Sequence, residues 1–239
     1  VIDTHAHLDM LEDAAAAVER ARAVGVTRIV TIGTHDAIEL ADRFDDVYAV
    51  VGFHPHQAGE DNDLDELREL LRHPKAVAVG EIGLDYYRDY APHDRQHELF
   101  EAQLQIARET RKPVVIHTRA ADDDTRAKLV PHDGTVVLHC FSSPHLLPDA
   151  LAHGWYVSFA GNVTYKNATD LRLAAGRVPD DRLLAETDCP YLAPQPVRGK
   201  TNEPAYVAHT LATLAQVRRV DADTLAAQID ANASACFAL

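Results

Sequence analysis

The stretch Val1-Ile2-Asp3-Thr4-His5-Ala6-His7-Leu8 opens the chain. Residues 2–5 read as a short strand that runs directly into His5-Ala6-His7. In an extended chain, residues i and i+2 point to the same side, so both imidazoles can reach one point while Ala6 turns away. Two neutral imidazoles meeting at a strand end make half of a metal site. A solvated loop pair would look the same in isolation. The reading therefore turns on what the rest of the chain supplies.

Outward from this stretch, β-branched apolar runs alternate with helical patterns. Strands are expected at residues 2–5, 27–32, 47–53, 76–82, 113–117, 135–140, 155–159 and 183–186. Helices are expected at 14–23, 37–44, 64–72, 94–111, 122–130, 146–153, 168–175, 203–216 and 221–236. Gly25, Pro74 and Gly154 act as stops. The strands are nearly continuous apolar runs, as strands buried on both faces require. The fold class is α/β, and eight strand–helix alternations predict a closed (β/α)8 TIM barrel occupying residues 1–239 as one domain. The alternative, an open doubly wound sheet, lacks its Gly-rich first turn here.

Composition bounds the function. The 239 residues are 46% hydrophobic and 25% charged, which is globular rather than disordered. There are 23 Lys and Arg against 37 Asp and Glu, giving a net charge of −14. Such a surface does not attract polyanions in general, so any nucleic-acid attraction must be local. The three cysteines, Cys140, Cys189 and Cys236, are too few and too scattered for a disulfide framework or a Cys-type zinc finger. No apolar run is long enough to span a membrane, and no signal-peptide pattern precedes the first motif; the cytoplasm is the expected location. No exposed apolar stripe stands out, so the sequence leaves the oligomeric state open.

The strand ends carry the chemistry. Strand one ends in His5 and His7, strand three in Gly52-Phe53-His54-Pro55, and strand four in Gly80-Glu81-Ile82-Gly83. Strands five, six and eight run into His117, His139 and Asp188. In a barrel these ends share one mouth, so His5, His7, Glu81, His117, His139 and Asp188 should face one another. Six nitrogen and oxygen ligands suit two ions better than one, and a carboxylate can bridge them. The imidazoles favour Mn²⁺, Zn²⁺ or a similar ion over Ca²⁺. Singly, each residue has an ordinary explanation: a core histidine for His117 or His139, a cap for Glu81, a turn for Asp188. Together, those explanations would need six unrelated coincidences.

These residues lie in motifs that resemble the TatD-type metal-dependent deoxyribonucleases, within the amidohydrolase-like barrels. The matching stretches are Ile2 to Leu8, Gly52-Phe53-His54-Pro55, Gly80 to Tyr86, Pro113 to His117, His139-Cys140-Phe141-Ser142, Glu186 to Leu192, and Arg198-Gly199-Lys200 with Asn202 and Pro204. Ser143 and the Ser234-Ala235 region depart from the family pattern but touch no expected ligand. The resemblance implies that His5, His7 and Asp188 hold one divalent ion, that His117 and His139 hold the other, and that Glu81 bridges. It implies hydrolysis of DNA phosphodiester bonds, as a 3′→5′ exonuclease on single-stranded ends, with Mn²⁺, Mg²⁺ or Zn²⁺. Asp188 is the expected proton acceptor, ahead of Glu81, which sets the metal spacing. His54 is expected to bind a phosphate or protonate the leaving oxygen. Arg198 and Lys200, with Arg119 as a weaker candidate, are expected to bind phosphate, and Tyr86 and Tyr87 to stack on unpaired bases. Two other readings stay open: hydrolysis of another ester, such as a small molecule or a D-aminoacyl-tRNA, and a catalytically silent metal-binding scaffold. Physiological roles such as DNA repair or tRNA quality control are not encoded in the ligands.

Overall fold

The computed structural model describes residues 1–88 and 90–239. Eight strands form one parallel sheet in sequence order. They are β1 (Ile2–Ala6), β2 (Arg28–Gly33), β3 (Val47–Val51), β4 (Ala76–Asp85), β5 (Val114–Arg119), β6 (Val136–Leu138), β7 (Tyr156–Phe159) and β8 (Leu183–Ala185). The sheet closes on itself. The Asp188 amide donates to the His5 carbonyl at 2.9 Å, the His7 amide to the Cys189 carbonyl at 2.8 Å, and Thr4 Oγ1 to the Ala185 carbonyl at 3.0 Å. The (β/α)8 barrel expected from the alternation is therefore the fold.

Nine α-helices are described: α1 (Ala14–Ala23), α2 (His35–Arg43), α3 (Leu64–Leu70), α4 (His93–Thr110), α5 (Asp122–Leu129), α6 (Leu147–His153), α7 (Thr169–Ala175), α8 (Val207–Arg218) and α9 (Ala222–Phe237). Their starts follow local chemistry. Asp13 caps α1 by accepting from the Ala16 amide at 2.9 Å, and Asp63 and Asp221 cap α3 and α9 in the same way. Strand sequences rich in Val, Ile and Ala bury both faces, against barrel interior and helix layer. Each Ile, Leu or Phe so enclosed contributes about 1.5–3 kcal/mol. Phe100, Leu104 and Ile106 do this from α4. Among the described residues no helix is long and apolar enough to cross a membrane.

Strand lengths differ from expectation where the site begins. Strand β4 does not end at Ile82 but runs three residues further, to Asp85. Strands β6 and β8 stop early, at Leu138 and Ala185, which leaves His139 and Asp188 on the loops that follow. Backbone conformation explains the stops: Cys140 and Asp188 adopt positive φ, 43° and 56°, which a strand does not accommodate. Strand β3 ends at Val51, and His54 instead caps the short 3₁₀ turn Pro55–Gln57.

Candidate metal centre

Six expected ligands converge at the C-terminal mouth of the barrel. Alternation along β1 turns His5 and His7 to the same side, with ring centroids 5.2 Å apart. The His5 ring stacks on His139 at 3.9 Å. Glu81 enters from β4 and His117 from β5, where the latter is in register with Gly83. That register needs glycine. Gly83 has φ of 144°, and a Cβ there would lie 1.9 Å from the His117 carbonyl oxygen.

The two oxygens of Glu81 face different histidines. Oε2 lies 3.4 Å from His5 Nε2 and 3.8 Å from His7 Nε2. Oε1 lies 2.7 Å from both His117 Nδ1 and His139 Nε2. Asp188 Oδ1 completes the first group, 3.6 Å from His7 Nε2 and 3.9 Å from His5 Nε2. Ligand atoms around one small tetrahedral or octahedral ion sit about 3.0–3.4 Å apart, given metal–ligand bonds of about 2.1 Å. The first group is therefore close to ligating spacing. Three trios have ligand atoms within 4.8 Å of one another: His5–His7–Glu81, His5–His139–Asp188 and His54–Glu81–His117.

His54 is set apart by its hydrogen bonding. Its Nδ1 accepts from the His56 amide at 3.1 Å. The neutral ring must then carry its proton on Nε2, the atom 3.6 Å from Glu81 Oε1. His54 thus presents an N–H to the mouth rather than a lone pair for a metal. Burial lowers its pKa to about 4, against the pull of Glu81, which keeps it neutral at ordinary pH.

Carboxylates behind the histidines fix which nitrogen faces the centre. Fully buried Asp85 takes His117 Nε2 at 3.0 Å and His56 Nε2 at 2.9 Å on Oδ2, while Oδ1 accepts from the amides of Tyr87 and Arg88. Glu186 Oε1 takes His139 Nδ1 at 3.2 Å and the Cys140 amide at 2.6 Å. Asp3 accepts from the Thr187 amide at 2.8 Å and contacts its hydroxyl, tying β1 to the segment that carries Asp188. Sequence reading included Asp3, Asp85 and Glu186 in motifs but gave them no role. The signal available was a buried acid one to three residues from a ligand, and metal-bound histidines need such partners.

Charge and burial fit a cation. Burial alone would lower the His139 pKa, but Glu81 and Glu186 outweigh it and raise it well above the usual value. Burial also opposes protonation of His117 and His7; Asp85 and Glu81 raise the first, Asp188 and Glu81 the second. Burial would raise the Glu81 pKa, yet His139, His54 and His117 hold it well below the usual range. Asp188 is likewise held down, with His7 overcoming burial. The carboxylates thus demand positive charge at the positions where a divalent ion would displace protons. Both ring nitrogens of fully buried His5 lack a hydrogen-bond partner. An orphaned imidazole of this kind suits a metal ligand.

A cavity of about 720 Å³ opens above this cluster. Arg119 lines it, with its guanidinium 3.9 Å above the Tyr87 ring. Arg88, which sequence reading did not single out, lines it too. Arg198 and Lys200 are exposed and are not on that lining; Arg198 lies over Tyr165 at 4.2 Å. Nor is Tyr86, whose ring stacks on His93 at 3.9 Å and whose hydroxyl donates to Asp124 Oδ2 at 2.6 Å and meets His97 Nε2 at 2.7 Å. Those contacts hold Tyr86 away from the mouth.

A barrel whose mouth gathers four histidines and two carboxylates around a cation-demanding centre defines a metal-dependent hydrolase. The profile of the family described as "TatD related DNase" matches residues 2–238, and the chain belongs to that family. It is 38% identical over 251 residues to an uncharacterized metal-dependent hydrolase, YabD, of Bacillus subtilis, covering 99% of this chain and 98% of the relative. It is 35% identical over 245 residues to a protein of Pectobacterium atrosepticum named 3′-5′ ssDNA/RNA exonuclease TatD, covering 95% of this chain and 94% of the relative. The crystal structure of the TatD homologue YjjV of Escherichia coli superposes with a TM-score of 0.93 at 32% identity, covering 100% of this chain and 98% of the other.

Proposed function

We propose that this hydrolase is a nuclease that removes nucleotides from single-stranded ends, in the 3′→5′ direction, using two divalent ions of the Mn²⁺, Mg²⁺ or Zn²⁺ type. The observation that carries this reading is the division of Glu81, with Oε2 toward His5 and His7 and Oε1 toward His117 and His139. His5, His7 and Asp188 would hold one ion, His117 and His139 the other, and Glu81 would join them. When bound, such ions polarise a phosphoryl oxygen and make water acidic enough to ionise near neutral pH.

The chain's own groups supply the rest. Asp188, held ionised beside the centre, accepts the proton of the attacking water. His54, neutral, donates a hydrogen bond from Nε2–H to a phosphoryl or leaving oxygen. Arg88 and Arg119 give an acidic protein its local attraction for phosphate. A recessed mouth admits a flexible strand end more readily than the middle of a duplex. The names of the Pectobacterium relative and of one from Enterobacter lignolyticus support the direction and the strandedness.

The test strips the protein with chelator, reloads it with one metal at a time, and follows linear and closed circular single strands. Loaded protein should shorten the linear strand from its 3′ end and spare the circle. Equal cleavage of both would refute the exonuclease reading. Glu81→Ala should lose metal and cleavage together; normal cleavage by that variant would refute the bridged centre. Release of amino acid from a D-aminoacyl-tRNA with no loss of DNA would assign the site to another ester.

A further inference from the structure

Two exposed aromatic rings stand on the cavity lining that no step above uses. Tyr90, 64% exposed, follows β4, and Tyr191, 50% exposed, follows β8. In a closed ring of eight strands, β4 and β8 are diametrically opposed, so the two tyrosines flank the metal centre. Each is joined to it through ligand-side histidines. Tyr90 meets His56 edge-on at 4.8 Å, and Tyr191 meets His7 edge-on at 6.2 Å. Their surroundings differ. Arg88 lies 5.9 Å from the Tyr90 centroid, and Arg119 lines the cavity on the same side, past the adjoining β5. Tyr191 is bordered by Met10, 48% exposed, whose sulfur meets the tyrosine hydroxyl at 3.5 Å, and by Leu192. Among the described residues, Arg88 and Arg119 are the arginines or lysines on the lining. One side of the mouth is therefore aromatic and cationic, and the other is aromatic with no arginine or lysine on the lining.

We propose that Tyr90 and Tyr191 are two base-stacking platforms, one on each side of the scissile phosphodiester, with the terminal nucleoside on Tyr191 and the next base on Tyr90. This rests on the nuclease reading and makes it more specific. A ring with a free face stacks any base and fixes no sequence. The asymmetry of charge assigns the sides. The body of the strand brings further phosphates, and Arg88 and Arg119 are there to meet them. The terminal nucleoside brings none beyond the scissile one, and Met10, Leu192 and Tyr191 offer it a seat without a cation. Tyr87 is set aside because it is not on the cavity lining and Arg119 covers one face of its ring at 3.9 Å. The substrate must then present two unpaired bases at its end, so a blunt duplex end is a poor substrate until it frays.

The test uses short single strands that carry a stable abasic residue at the terminal or the penultimate position. Loss of one stacked base weakens binding about 5- to 150-fold. With manganese-loaded protein, KM should rise in that range for either abasic strand, with kcat changed far less. Tyr191→Ala should raise KM for the intact strand and abolish the further effect of the terminal abasic residue; Tyr90→Ala should do the same for the penultimate one. Tyr191→Phe and Tyr90→Phe should retain wild-type KM, since the ring and not the hydroxyl stacks. As a readout apart from activity, 2-aminopurine at the terminal position should be quenched on binding to metal-free protein, and Tyr191→Ala should relieve the quenching while Tyr90→Ala does not. Hydrolysis that is indifferent to base removal in the wild-type protein would overturn the platforms and leave the nuclease reading standing, whether or not the variants fold. Absence of hydrolysis of every oligonucleotide by loaded protein would overturn both.

Discussion

Asp85→Asn changes one atom type in a buried side chain, and the structure says which way the consequences run. The Asp85 oxygens have divided duties: Oδ1 accepts from the Tyr87 and Arg88 amides, both at 2.9 Å, and Oδ2 takes His117 Nε2 at 3.0 Å and His56 Nε2 at 2.9 Å. Backbone amides are fixed donors, so the single oxygen of asparagine must stay with them. The new NH₂ then faces His117 Nε2, which has to accept. The ring proton of His117 moves to Nδ1, the atom 2.7 Å from Glu81 Oε1 and the one with which it would bind metal. Removing an outer-sphere partner ordinarily weakens metal binding about 10- to 100-fold, or about 1.4–2.8 kcal/mol at 1.4 kcal/mol per decade. Here the ligand's lone pair is blocked as well as loosened, so the loss at one of two sites should reach about 100-fold. Asp85→Ala, a larger deletion, leaves His117 free to keep Nε2–H on a water molecule. It should therefore bind the affected ion more tightly than Asp85→Asn does. Calorimetric titration of Mn²⁺ into the three proteins checks the order, and imidazole ¹⁵N shifts in the metal-free proteins report the tautomer. Asp85→Asn binding both ions within about threefold of wild type would refute tautomer control by this carboxylate.

Asp3 gives a pH signature. Burial raises its pKa to about 8 against the hydrogen bonds from Thr187. An acid whose folded pKa lies above its unfolded value of 3.8 binds its proton more tightly when folded. Its contribution to stability is complete below pH ~4 and is lost as pH climbs to ~8. Asp3→Asn reproduces the hydrogen bonds of the protonated acid without the charge; urea titrations of metal-free protein should show it level with wild type at acid pH and more stable at pH 9. Gly83→Ala forces a Cβ to within 1.9 Å of the His117 carbonyl at a positive φ, so it should cost about 1–3 kcal/mol of stability and one metal site, read by thermal melts and metal counting. His54→Ala should keep both ions and lower kcat about 10²- to 10³-fold, the range for losing one hydrogen-bond donor aimed at developing charge; a variant that lost metal instead would make His54 a ligand. Saturating metal at 100 times Kd should stabilise the protein by about 2.7 kcal/mol per occupied site, about 5.4 kcal/mol for two, which chelator reverses in the same melt.

The barrel was legible because its strands are buried on both faces. Runs such as Ile29-Val30-Thr31-Ile32 and Val47 to Val51 admit few other readings, and helical stops at Gly25 and Gly154 separate them. What misled was strand ends. Residues 135–140 look uniformly β-forming, yet β6 covers Val136–Leu138 because Cys140 turns to positive φ to place its amide on Glu186. The expected strand 76–82 stops three residues short of the observed β4; the close approach of the His117 carbonyl is what requires Gly83 inside that strand. Local propensity carries no record of a neighbouring backbone.

The proposed ligands were legible for a different reason: histidines and acids at several strand ends of a closed ring have nowhere to point but the shared mouth. The substrate-facing groups obey no such rule. Arg198 and Lys200 sit in a loop with Pro and Gly whose path is set by its own turns, and they come to rest outside the cavity lining. Arg88 reaches the lining because its amide, with that of Tyr87, is held on Asp85, the same carboxylate that orients His117. The loop that carries Arg88 and Tyr90 is thus anchored to the metal centre through one buried side chain. Whatever disturbs that anchor should alter metal affinity and strand binding together, whereas changes at Arg198 should affect neither.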